Sequence, residues 1–103
     1  MAISEKIMFD KTEIIFVDLS GKKAQALNLT YEKIISIRFD KTKVKGLFSS
    51  KDSERISITV RGKEQPLVLL QVKEKPDYWQ GYKDGLTKFC KDNRISFYNE
   101  LAG

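Results

Sequence analysis

Residues 38–51, RFDKTKVKGLFSSK, hold the chain's densest group of charged and apolar side chains suited to a chemical task. Lys41, Lys43, Lys45 and Lys51 surround Leu47 and Phe48. Apolar side chains ringed by ammonium groups can dip into an anionic bilayer, each lysine near the surface contributing about 1 kcal/mol. The same cations can hold a phosphate-bearing ligand. A competing reading folds Val44 and Phe48 back onto the core and leaves the lysines to keep a sheet edge soluble. Asp40, Asp52 and Glu54 dilute the positive field in either case.

A second group lies in DYWQGYKDGLTKFC (77–90), where Gly81 and Gly85 interrupt a helical pattern beside Tyr78. Each glycine costs about 0.8–1 kcal/mol against alanine in a helix interior. On a helical wheel the two share one side, where missing side chains leave a shallow notch that something can approach closely. The internal candidates are the sheet rim or RISFYNEL (94–101), with Ile95 or Phe97 resting in the notch. The external candidates are a partner peptide or a second copy of the chain. Tyr78, Gly81 and Gly85 are therefore the expected partner-binding border.

Other chemistry is scarce. The chain has no histidine, the commonest general base and metal ligand, so Ser-His-Asp and Cys-His arrangements are excluded. Cys90 is the only cysteine; it sits on the apolar helical stripe, where a thiol acts as a small hydrophobe. Tyr31, Tyr98 and Glu100 are polar candidates that nothing in their spacing brings together. Glycine-rich phosphate loops are absent. No catalytic residue, metal site or cofactor is expected, and the chain reads as non-enzymatic.

The elements that must position these groups follow from the pattern. At 103 residues and 41% hydrophobic content, a single domain over 1–103 with one core is expected. Period two dominates the first seventy residues: KIMF (6–9), EIIFVDL (13–19), QALNLT (25–30), KIISIRFD (33–40), RISITVR (55–61) and PLVLLQV (66–72) read as strands. In KIISIRFD, Ile35, Ile37 and Phe39 are expected inward. Short polar breaks favour antiparallel hairpins. The connection 41–53 is longer, with room for a seventh strand around Val44 to Phe48.

At Pro76 the period becomes 3.6. Trp79, Tyr82, Leu86, Phe89 and Cys90 form one stripe, which predicts a helix over 78–92, a capping box from Asp77 and Gln80, and a left-handed stop at Asn93. The fold class is α+β and mainly β: six to seven strands in an antiparallel sandwich or barrel, with the helix plugging one mouth.

The segments LTYEKIISIRF (29–39), VKGLFSSKDSERISITVRGK (44–63) and YWQGYKDGLTKF (78–89) resemble bacterial pleckstrin-homology-like domains in element order across nearly the whole chain. That resemblance implies a seven-strand barrel of two near-orthogonal sheets capped by a C-terminal helix. Domains of this kind bind phosphoinositides, peptides or protein partners, and the groove between helix and exposed strand edge is a common peptide site. Lipid-binding members carry a basic cluster after the first strand; here the corresponding DKT holds only Lys11, a departure from that pattern.

The expected role is protein or peptide binding, homodimerisation included, with anionic lipid as the alternative ligand. Nucleic acid is not expected: net charge is +5, yet no run of five like charges occurs, and no zinc-finger, helix-turn-helix or RNP pattern is present. The N-terminal MAISEKIMFD lacks the apolar run of a signal peptide, and no stretch approaches about 18 apolar residues. A cytoplasmic location is the corresponding expectation.

Overall fold

Alternating apolar and polar residues build two sheets, and the switch to helical period supplies the element that covers both. The structure, a computed structural model, describes residues 7–18, 25–46 and 49–101. Strands β1 (Ile7–Phe9), β2 (Glu13–Asp18) and β3 (Gln25–Thr30) form an antiparallel sheet in that order. A 3-10 turn at Tyr31–Lys33 leads into β4 (Ile34–Lys45), then β5 (Ser50–Val60) and β6 (Leu67–Leu70). After a second 3-10 turn at Gln71–Lys73 come helix α1 (Pro76–Asn93) and strand β7 (Ser96–Asn99). The second sheet has the order β6-β5-β4-β7. The result is a mainly-β α+β fold, a small sandwich or barrel capped by its helix.

Three features depart from the simple meander. First, β7 pairs with β4 in parallel, Ser36 opposite Ser96 through Phe39 opposite Asn99. Parallel pairing needs a long crossover, and α1 is that crossover, carrying the chain from one outer strand of the sheet to the other. Second, the supposed connection 41–53 is mostly paired backbone. β4 and β5 stay in register from Asp40–Arg55 to Lys45–Ser50, so Val44 belongs to β4 and not to a separate strand. Third, the register shifts between Ile34 and Ser36. This bulge changes the inward phase: Ile34, Ile37 and Phe39 are buried, whereas Ile35, expected inward, is exposed.

The core joins three surfaces. Ile7, Ile14 and Leu29 come from the first sheet; Ile37, Phe39, Ile56 and Ile58 come from the second; Trp79, Tyr82, Leu86, Phe89 and Cys90 come from the helix. Phe97 of β7 packs edge-on against Phe39 at 5.0 Å between ring centroids. Leu86 is fully buried, so Leu86→Ala would cost about 2–5 kcal/mol.

The helix ends differ from expectation. Its N-cap is Lys75 with no side-chain cap bond, because Pro76 sets the first turn one residue before Asp77. Gln80 instead donates to Asp84 at 2.9 Å, one turn on. The left-handed residue is Arg94 (φ 56°), not Asn93. Asn93 stays helical and its amide donates to the Lys11 and Phe89 carbonyls at 3.0 and 3.1 Å, tying the helix end to the β1–β2 turn.

Near the other end of α1, Glu54 of β5 accepts from the Trp79 indole N–H and the Lys83 ammonium, both at 2.8 Å. Burial alone pushes the Glu54 carboxyl up, but these two hydrogen bonds together hold it below its ordinary value. A depressed carboxyl stabilises the fold above its unfolded pKa, and that contribution disappears as pH falls through the folded value. Glu54→Gln is therefore expected to lower the urea midpoint at pH 7. Its deficit against the native chain should shrink as pH drops from the ordinary glutamate value of 4.5 through the lower native one. A deficit that stayed constant to low pH would place the effect in packing instead.

Candidate functional site

The helix border resolves into two unlike glycines. A Cβ built at Gly81 meets nothing within 4 Å. At Gly85 it would overlap the Phe9 ring. The period of β1 explains this contact. Phe9 opposes Ile14, which opposes Leu29, and both of these are buried. Phe9 thus points toward the core from the sheet's outer strand, and the missing side chain of Gly85 lets its ring lie on the helix backbone. The notch is filled internally from the sheet rim, and by Phe9 rather than Ile95 or Phe97. Tyr78 sits half-buried at the core margin, with the Lys75 ammonium 5.9 Å from its ring centroid.

Phe9 is not sealed in. It remains 39% exposed, and Met8 beside it 46%. Together with Gly85 and Phe89 it floors a groove of about 320 Å³ whose rim carries Asp10, Lys11, Lys88 and Asp92. Two carboxylates and two ammonium groups around apolar carbon make a side-chain-sized pocket with no strong charge preference. The sequence reading missed Phe9. The available signal was its alternation with the inward Ile7, combined with a glycine that needed an occupant.

The basic segment is a two-stranded ribbon. Lys41 opposes Glu54, Lys43 opposes Asp52, and Lys45 opposes Ser50. Because strand side chains alternate, Lys41, Lys43 and Lys45 share one face with those carboxylates, while Lys51, opposite Val44, lies on the other. The four lysines therefore do not encircle a common point. Phe48, the fifth residue of that proposed set, lies outside the described residues.

The remaining candidates occupy separate places. Cys90 is buried, and burial raises its thiol to about 11, so it is held as the neutral thiol. Tyr98 and Glu100 converge after all, on Arg38: the guanidinium lies 5.1 Å from the Tyr98 centroid and 3.3 Å from the Glu100 carboxylate. Tyr31 sits apart in the 3-10 turn. Across the outer sheet face Arg55 grips Asp40 through two bonds of 2.8 and 2.7 Å, and the Arg55 hydrogen bond holds the Asp40 carboxyl below its usual range. Among the described residues no cluster of three potential metal ligands occurs, and no helix is long and apolar enough to cross a membrane.

Comparison with known proteins gives no match: no family model, curated protein or solved structure is significantly similar to this chain.

The glycines make opposite predictions. Gly81→Ala should raise stability by about 0.5–1 kcal/mol, since it gains helix propensity in open space. Gly85→Ala gains the same propensity but must displace the Phe9 ring, so no net gain is expected. In a Phe9→Ala background, Gly85→Ala should become stabilising. Denaturant midpoints across that double-mutant cycle measure the coupling; additive effects would mean the ring contact contributes nothing.

Proposed function

We propose that the chain is a non-enzymatic interaction module that binds a protein or peptide segment at the border between α1 and β1. The carrying observation is the half-exposed Phe9 over Gly85, in a groove beside an outer strand. Such a site combines the two parts of strand-type peptide recognition, backbone groups for an extended segment and a pocket for one of its side chains. Along β1 the Asp10 N–H donates to Glu13, so the backbone of Phe9 faces away from β2. The resemblance to pleckstrin-homology-like domains, in which a helix-and-edge groove takes peptides, agrees with this reading. Gly81 and Tyr78 then flank the site along the helix instead of lining it.

Selection of the folded chain against a displayed random-peptide library provides the test. Enriched peptides should carry an apolar anchor and shift the amide resonances of Phe9, Lys11, Gly85 and Lys88. Phe9→Ala should weaken them about tenfold or more. Absence of enrichment, or shifts confined to other surfaces, would overturn the assignment.

The alternative reading, an anionic membrane or phosphate-bearing ligand at the ribbon, is favoured by one observation: Lys41, Lys43 and Lys45 lie on a common face. Sedimentation with phosphatidylserine vesicles should then occur at low salt, weaken as salt rises, and vanish in a Lys43→Glu/Lys45→Glu variant. No sedimentation at low salt would eliminate it.

A further inference from the structure

The outer strands of the two sheets are protected unequally. β1 spans three residues, and β6 and β7 four each. β3 spans six, QALNLT, with no charge, no proline and no bulge in its pairing with β2. Those are the usual devices that stop a strand edge from pairing with another chain. Among the described residues, no strand pairs with the far side of β3.

The hydrogen-bond phase of that edge can be read from its neighbours. The Tyr31 N–H donates to the Thr12 carbonyl at 2.9 Å, immediately beyond the pair Glu13–Thr30. Antiparallel ladders alternate, so Leu29 and Leu27 spend their backbone groups on β2. Ala26 and Asn28 direct theirs outward, as does the Thr30 N–H, whereas the Thr30 carbonyl is taken by the first bond of the 3-10 turn at Tyr31–Lys33. The Asp10–Glu13 bond in the β1–β2 ladder gives β2 the matching phase.

We infer that β3 is a self-association edge, on which a second copy of this chain pairs its own β3 antiparallel about a two-fold axis through Asn28. In that register Asn28 faces Asn28 of the second copy, and Ala26 faces Thr30. The Asn28 pair exchanges two bonds and each Thr30 N–H meets an Ala26 carbonyl, giving about four new backbone hydrogen bonds. On the core face, half-buried Leu27 comes opposite Leu29 of the second copy, which extends the apolar layer across the joint. The strand is uncharged, so the two paired strands themselves bring no like charges together despite the net charge of +5. Pairing of an edge with itself is closed and stops at the dimer. The groove at β1 lies on the opposite edge of the same sheet, so this proposal and the peptide reading stand or fall separately.

Sedimentation velocity of the full chain over a concentration series provides the test, together with amide hydrogen exchange. The native chain should show a reversible monomer–dimer equilibrium, and protection of the Asn28 and Thr30 amides should rise with concentration. Asn28→Pro removes the bonds at the axis, and Asn28→Lys places two cations there; each should weaken dimerisation about tenfold or more. Asn28 is exposed, so the dilute Asn28→Lys monomer should keep its denaturant midpoint. The exchange measurement on the native chain needs no variant and stands if a substitution disturbs folding. A native chain that stays monomeric throughout, or a dimer whose association leaves those two amides unprotected, overturns the proposal.

Discussion

Neither sheet can bury its inner face without the helix. Each contributes a row of aliphatic side chains, and the surface that completes both is the stripe of Trp79, Tyr82, Leu86, Phe89 and Cys90. An 18-residue helix is about 27 Å long, ample to cross a four-stranded sheet whose strands lie about 4.8 Å apart. It can therefore leave one outer strand, cover the intervening pair and return as the other. Parallel β7 follows from this path: the chain that emerges from α1 is already beside β4. Pinning at both ends fixes the helix on that path, through Glu54 to Trp79 and Lys83 at one end and through Asn93 to the Lys11 carbonyl at the other.

The same requirement accounts for Gly85. A helix pressed against two sheets must meet the rim of one of them somewhere, and here the rim presents a phenylalanine ring. Glycine lets the ring lie on the backbone; any Cβ would displace it. Gly81, one turn earlier, faces open space and has no such contact to offset its propensity cost. A pair that looks like one motif on a helical wheel is thus two positions with different neighbours. Phe9 closes most of the notch yet stays partly wet, and the groove beside it combines an apolar floor with a charge-balanced rim.

Among the described residues three carboxylates are each held by a cation. Asp40 with Arg55, Glu100 with Arg38 and Glu54 with Lys83 are each in contact. On the ribbon two of the three lysines on one face oppose carboxylates. Two features of the described residues do not depend on charge: the apolar floor of the Phe9 groove on one edge of the first sheet and the β3 backbone on the other.

Residue order alone determined the strand and helix periods, and with them most of the core. Ile56, Ile58 and Val60 are buried as their alternation requires, and all five residues of the helical stripe are inward. Local pattern sufficed there because burial of one face imposes a fixed period. Tertiary structure decided what depends on partners distant in the chain. The bulge that turns Ile35 outward, the parallel pairing of β7, the shift of the left-handed residue to Arg94 and the use of Asn93 as a tie all arise from contacts between separated segments. Phe9 and Gly85 lie 76 positions apart, and no periodicity links them. Only the packing of helix against sheet rim places one on the other, and only the ladder phase shows which backbone groups of β3 face outward.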